Sequence, residues 1–270
     1  MGNTQQTDAD TNGKFPVSVV IVASNEERQI ARVLGSVASW VNEIVVVTSD
    51  SRDRTTEIAA DFGAKVFEHP WENYGSQVAW AMEQAEEEWI LVLDADEEVS
   101  EELGTVLRRF LKEEAEHFDG LCMPRRSWWM GRWIMHGDWY PDRVTRLFRR
   151  GKGHSVGSSH GGIRVDGPVK NIKVPLNHYP FTNLYVLMRK VAHFAEYAYK
   201  EERHRWSLFS CLTRPLWRFF RSYVLRLGFL DGVPGLFVAV HVAYSTFVRH
   251  CRYYPRFDVS PRTIKDDHGN

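Results

Sequence analysis

Cysteine is scarce in this 270-residue chain: Cys122, Cys211 and Cys251 are an odd number, without metal-ligand or redox spacing. That excludes a disulfide framework and a cysteine-bound zinc site, and it fits a reducing compartment. A dominant charge of one sign is lacking too. The formal net charge of -1 at pH 7 says little about partners, so local charge must be read instead. Acidic residues crowd Glu83 to Glu88 and Asp94 to Glu102, while arginines crowd the second half. No internal repeat, low-complexity tract or nucleic-acid-binding module is present, so nucleic acid is not an expected partner. Met1 to Lys14 is polar, with no basic segment ahead of an apolar core, so no signal peptide is expected.

Long apolar runs are also missing. The longest uncharged stretch near the C-terminus, Gly232 to Val248, contains His241 and falls at or just below the roughly 17 to 25 residues that a spanning helix needs. The region Trp206 to Tyr254 mixes aromatic and aliphatic residues with Arg214, Arg218, Arg221, Arg226, Arg249 and Arg252. It reads as two basic amphipathic helices broken at Pro234-Gly235 and lying on an anionic membrane surface, or as an ordinary helical hairpin packed on the sheet.

What is present is a globular composition, 43% hydrophobic and 26% charged, long enough for one large domain or a domain with an appendage. Val17 to Val22, Ile44 to Val47, Ala64 to Phe67 and Trp89 to Leu93 are short apolar runs rich in β-branched residues. Between them Glu26 to Trp40, Asp53 to Phe62 and Gly75 to Glu86 carry helical spacing, and another helix is expected around Glu101 to His117. Alternating strands and helices predict βαβ units and an open, mostly parallel α/β sheet. Ligands of such sheets sit beyond the carboxyl ends of the strands, which directs attention to Ala23 to Glu27, Thr48 to Asp53 and Asp94 to Glu98. Gly120 to Pro180 reads as short strands and loops, and the chain is helical again from Asn183.

Asp94-Ala95-Asp96 follows the fourth strand directly. Side chains two apart in an extended segment point the same way, so both carboxylates are expected to converge. Such oxygen ligands suit Mg²⁺ or Mn²⁺ bridging to phosphate oxygens, where the metal stabilises a departing diphosphate. Taken alone, the triplet is more often a solvated turn. A dinucleotide-dependent oxidoreductase would want a G-x-G-x-x-G turn after the first strand, and Ala23-Ser-Asn-Glu-Glu27 has none.

The segments Ser18 to Glu27, Glu43 to Thr55, Gly63 to Phe67 and Trp89 to Glu97 resemble family 2 glycosyltransferases in order and spacing. The second half resembles the branch that includes lipopolysaccharide core glucosyltransferases, through Pro124-Arg-Arg126, Gly131-Arg-Trp133, His136 to Asp142, Arg146 to Arg150, Val165-Asp-Gly-Pro168 and Gly228 to Gly232. The resemblance implies a GT-A fold, a UDP-hexose or similar nucleotide-sugar donor, and inversion of the anomeric centre in one displacement. It places donor contacts at Ala23, Asn25, Glu27, Thr48, Ser49, Asp50, Gln77, Asp94, Ala95 and Arg146, and metal ligands at Asp94 and Asp96. Read on their own, Asn25 and Glu27 are equally helix-capping residues, and Asp50 and Asp53 turn residues.

Three positions depart from the family pattern. Thr48 stands where an aspartate is common, Val78-Ala79 where Lys-Asn is usual after Gly75-Ser-Gln77, and Gly161 where a glutamate follows His160. Inverting transfer needs a base for the acceptor hydroxyl, for which Asp142, Asp138 and His160 are the candidates. A salt bridge to Arg143 or Arg146 is the competing role for Asp142. Arg146, Arg149 and Arg150 are expected to hold phosphate or to form a solvated basic face. Trp128, Trp129, Trp133, Trp139 and Tyr140 either stack on acceptor sugars or fill a core.

The expected organisation is a tail at 1–14, a GT-A domain at 15–182, a helical and membrane-surface extension at 183–257 and a tail at 258–270. The expected activity is hexose transfer onto a lipid-linked or cell-envelope glycan at the cytoplasmic face. The departures motivate an alternative, a relative that binds nucleotide sugar or glycan without turnover.

Overall fold

The computed structural model describes residues 13–157, 162–180, 183–201 and 206–254. Apart from Gly13 and Lys14, the expected tails lie outside these residues. Two compact units are present: Met1–Trp128 with Asp142–Pro180, and Trp129–Pro141 with Phe181–Asn270.

In chain order the elements of the first half are β1 (Phe15–Val22), α1 (Ile30–Val37), β2 (Val41–Thr48), α2 (Thr55–Asp61), β3 (Lys65–Glu68), α3 (Tyr74–Glu83), β4 (Trp89–Asp94), β5 (Glu97–Glu98), α4 (Glu101–Glu113) and β6 (Gly120–Trp129). They continue with β7 (Arg132–Trp133), β8 (Asp142–Arg149), β9 (Gly153–Val156), β10 (Gly162–Val165), β11 (Val169–Asn171) and β12 (Leu176–His178). The helices α5 (Leu184–Glu201), α6 (Leu208–Phe220) and α7 (Gly232–Arg252) complete the chain.

The first unit is built on the sheet order β3-β2-β1-β4-β8-β6-β12-β5. Strands β3, β2, β1 and β4 run parallel, and β8 lies antiparallel between β4 and β6. The β-branched runs become strands buried on both faces because successive side chains alternate. Val19, Ile21, Val46, Leu91 and Leu93 pack with α1 and α4 residues such as Ile30, Leu34, Leu103 and Phe110. Val20, Val45, Val47, Ile90 and Val92 pack with Val78 and Ala81 of α3 on the other face.

The helix expected from Glu26 starts only at Ile30; ahead of it the backbone amides of Glu26 and Glu27 donate to Thr55 Oγ1 (2.8 Å) and Asp53 Oδ2 (3.0 Å). Ser100 caps α4, its hydroxyl accepting from the Leu103 amide at 3.2 Å, with Glu101 and Glu102 in the first turn.

The second unit takes in Trp129–Pro141, which the sequence assigns to the sheet domain. Trp129 and Ile134 share a core with Leu187, Val238 and Val242, and the buried Asp231 carboxylate accepts the amides of Met135 (3.0 Å) and His136 (2.8 Å). The break expected at Pro234-Gly235 is not there. Helix α7 is continuous from Gly232, and Pro234 sits in its first turn, where a missing N–H costs nothing. The chain reverses earlier, at Leu227 (φ 57) and Gly232 (φ 65). A Cβ on Gly235 would stand 1.9 Å from the Gly228 carbonyl oxygen, so the turn closes on backbone that only glycine admits. Cys211 Sγ, early in α6, lies 3.8 Å from Cys251 Sγ, late in α7, so the two helices are antiparallel.

Candidate functional site

Register places the site. Val22 of β1 pairs with Val47 of β2 and with Asp94 of β4, so the loops after these three strands leave from one sheet edge, the edge at which parallel α/β sheets bind ligands.

The first two loops are laced together. The amide of Ser49 donates to Ser24 Oγ (2.8 Å), that of Arg52 to Asn25 Oδ1 (3.0 Å), and that of Arg54 to Glu27 Oε2 (3.2 Å). Asn25 and Glu27 thus cap no helix of their own; they hold the neighbouring loop. Asn25 and Asp50 are exposed in the left-handed region (φ 58 and 49), which Asn and Asp tolerate better than other side chains. Burial pushes the Asp53 carboxyl up, but bonds from the Thr55 hydroxyl, the Glu27 and Thr55 amides and the Ser51 hydroxyl outweigh it and bring the pKa down to about 2. Ala23 is buried and contributes its amide to Val47 O at 3.0 Å.

At the end of β4 three carboxylates meet two guanidiniums. Arg125 bonds Asp142 Oδ2 through Nε (2.9 Å) and Nη2 (2.7 Å), and reaches Glu97 Oε1 (2.9 Å) and Asp94 Oδ2 (3.3 Å) through Nη1. Arg146 bonds Glu97 Oε1 at 2.6 Å and also Asp94 Oδ2, while the Tyr74 hydroxyl donates to Asp94 Oδ1. Glu97 has 0% exposure, and its second oxygen accepts the Asp94 amide at 3.0 Å. Burial works to raise both acids. Arg146, Arg125 and Tyr74 hold Asp94 well below the usual carboxylate range, whereas Glu97 stays raised by burial with Asp94 beside it.

This network engages two of the expected residues. Arg146 is 4% exposed, with its guanidinium on Asp94 and Glu97. Asp94 accepts from Tyr74 on one oxygen and from the two arginines on the other. Asp96 is placed differently. Its Oδ1 lies 3.5 Å from His178 Nε2, and His178 Nδ1 is 3.1 Å from Ser127 Oγ, which fixes the ring. The β5–β12 ladder brings His178 opposite Glu97, a long-range pairing that the sequence does not announce. Among the described residues no group of three or more His, Cys, Asp or Glu could hold a metal. A carboxylate with one imidazole nonetheless fits Mg²⁺ or Mn²⁺, whose remaining positions go to water and phosphate oxygens.

Several other predicted side chains are buried or held by structural partners. Thr48 is 2% exposed and Gln77 fully buried, Gln77 being bonded to His69 through Nε2 to the carbonyl (3.0 Å) and through Oε1 to Nδ1 (3.0 Å). Neither side chain is available to a donor. Ala95 is buried within the turn after β4. The departures at Thr48 and Val78 are packing positions, Thr48 being buried and Val78 lying in the core behind the sheet. Asp138 is 3% exposed and paired with Arg218 (3.2 Å), Arg221 (3.0 Å) and Arg226 (3.1 Å). Asp142 is 44% exposed, and both bonds from Arg125 fall on Oδ2. His160 and Gly161 lie outside the described residues. Arg149 is engaged by Glu88 and Asp119, and Trp129 packs edge-on to Trp139 at 6.2 Å, so these serve structure.

The first unit is an open α/β sheet with acidic residues gathered at the carboxyl ends of β1, β2 and β4. Residues 18–167 match the family model Glycosyl transferase family 2. An uncharacterised glycosyltransferase of Rickettsia felis is 30% identical over 254 residues, covering 86% of this chain and 87% of that protein. The lipopolysaccharide core biosynthesis glycosyltransferase LpsC of Rhizobium meliloti is 27% identical over 281 residues, 94% of this chain and 97% of its own. Among solved structures, S. aureus TarS 1–349 in complex with UDP-GlcNAc superposes with a TM-score of 0.48 at 17% identity, covering 87% of this chain and 89% of that one. The chain belongs to glycosyl transferase family 2, and it is a glycosyltransferase.

Proposed function

We propose that the protein transfers a hexose, with inversion, from a UDP-hexose or similar nucleotide sugar to a lipid-linked or cell-envelope glycan of the lipopolysaccharide core kind, at the cytoplasmic face. Family membership supports the activity, and the similarity to LpsC supports the acceptor class. The observation that carries the mechanism is the half-exposed Asp142, sharing Arg125 with Asp94 at the strand edge.

In this reading Asp142 accepts the proton of the acceptor hydroxyl as that oxygen attacks the anomeric carbon. Arg125 holds its Oδ2 through two bonds, leaving Oδ1 for the acceptor. Asp96 and His178 would hold Mg²⁺ or Mn²⁺, which would supply charge neutralisation for the leaving diphosphate. Asp94, fixed by Arg146 and Tyr74, orients the donor, and the Asn25 and Asp50 loops bound the nucleotide.

Asp142→Asn keeps the shape and the Arg125 contact but removes the base. Turnover should fall about 10²- to 10⁴-fold, read as UDP release coupled to acceptor glycosylation, with donor affinity unchanged. Near-normal turnover in this variant removes Asp142 from the role.

A further inference from the structure

The second unit turns unusual residues to solvent. On α6 Phe209, Leu212, Leu216 and Phe220 are exposed, Phe209 by 76% and Leu216 by 71%. Their spacing of three and four residues sets them on one helix face. On α7 Val233, Phe237, Val240, Tyr244 and Phe247 repeat the pattern, and Phe229 and Leu230 are exposed in the turn between. A solvent-facing helix face carries polar residues, and a contiguous apolar one marks an interaction surface.

Among the described residues, the same unit holds a surplus of positive charge around Asp138. Asp138 balances only one of Arg218, Arg221 and Arg226. Arg249 is close enough for Arg218 to feel its charge, and Arg214 lies 3.4 Å from His250 Nε2 on the neighbouring helix. Apolar stripes flanked by surplus guanidinium groups complement a surface that is apolar within and anionic at its boundary.

We propose that the α6–α7 hairpin is the docking surface for an anionic lipid bilayer, its apolar stripes entering the acyl boundary and its arginine cluster engaging lipid phosphates. The inference is independent of the transfer reaction proposed above. Gly228–Arg252 is long and apolar enough to cross a membrane by length and composition, but one side of α7 is taken by Val238, Ala239 and Val242 packed inside the unit. A spanning hairpin would also drag Arg214 and Arg218 of α6 into hydrocarbon. Lying in the interface avoids this, since arginine stems rest on apolar surface while their heads stay in water.

The test is co-sedimentation of the full chain with vesicles of phosphatidylcholine mixed with phosphatidylglycerol and with vesicles of phosphatidylcholine alone. The wild type should bind the anionic vesicles more tightly, and less so as salt rises. Phe209→Gln and Leu216→Gln, at exposed sites where the fold is not at stake, should each weaken binding roughly tenfold on both vesicle types. Arg214→Gln and Arg249→Gln, which leave Asp138 paired, should each weaken it about fivefold on anionic vesicles only. Release of the protein from cell membranes by alkaline carbonate supports the inference. It is overturned by an absence of vesicle binding, by variants that bind like the wild type, by full displacement by inorganic phosphate, or by carbonate-resistant insertion. A lipid-free dimer that Leu216→Gln dissolves overturns it in favour of a second copy.

Discussion

A guanidinium as buried as that of Arg146 is tolerable only because two carboxylates face it, and each of those carboxylates is tolerable only because of the arginines. Arg146→Met leaves Asp94 and Glu97 with Arg125 alone, and unfolding in urea should show a loss of about 3 to 5 kcal/mol. Adding Glu97→Gln removes the stranded charge as well. The double variant should therefore be more stable than the sum of the two single effects by roughly 1 kcal/mol or more, and strict additivity would mean that the network does not act as a unit. At this scale the sequence shows Asp94 and Asp96 through their spacing after a buried strand, but not their division of labour. Four acids among Asp94 to Glu98 are more negative charge than one strand end holds without basic partners. That excess was the available signal for Arg125 and Arg146. Tyr74 and His178 had no such signal, because only strand pairing and helix packing bring them in.

Helices and strands were legible where apolar periodicity is set by the element's own burial, as in β1, β2, β4 and α4. Their ends were not, since tertiary bonds decide them: the Glu26 and Glu27 amides leave the first turn of α1 for Thr55 and Asp53. Helix α7 carries a half-buried histidine that gives this element a pH response. His241 stands edge-on to Trp139 at 5.5 Å, its Nδ1 has no hydrogen-bond partner among the described residues, and burial lowers its pKa to about 4. An unfolded chain takes up this proton near pH 6.5, while the folded helix refuses it until about 4. Stability is therefore complete above about pH 6.5 and declines as pH falls towards 4, by about 3 kcal/mol at most. Urea midpoints of the wild type and His241→Leu, measured across that window, should diverge as pH falls, with the variant nearly flat. Parallel decline in both proteins would assign the slope to other groups.

Over the whole molecule, the alternation of short apolar runs and helices was enough to read the parallel half of the sheet and the edge that carries the site. The antiparallel half was not readable, because strands as short as β5, β11 and β12 have no periodicity, and β6 runs through Pro124. The grouping of Trp129–Pro141 with the C-terminal helices was hidden for a related reason: Asp231, some ninety-five residues on, provides the acceptors that hold it. What the whole chain should do on binding follows from mass action. A ligand that recognises only the folded protein stabilises it by about 2.7 kcal/mol at about 100 times its Kd, which for a chain of this size is roughly 5 to 10 °C in Tm. If Asp96 and His178 grip a divalent ion that in turn grips the diphosphate, UDP with Mn²⁺ should give this shift and UDP with chelator much less. Asp96→Ala should keep the ligand-free Tm while losing the part that depends on metal. The arginine network around Asp94 remains intact in that variant, so the loss reports metal and not collapse of the site. An equal shift with and without Mn²⁺, or one that Asp96→Ala leaves untouched, would take the metal away from Asp96 and return the diphosphate to side chains alone.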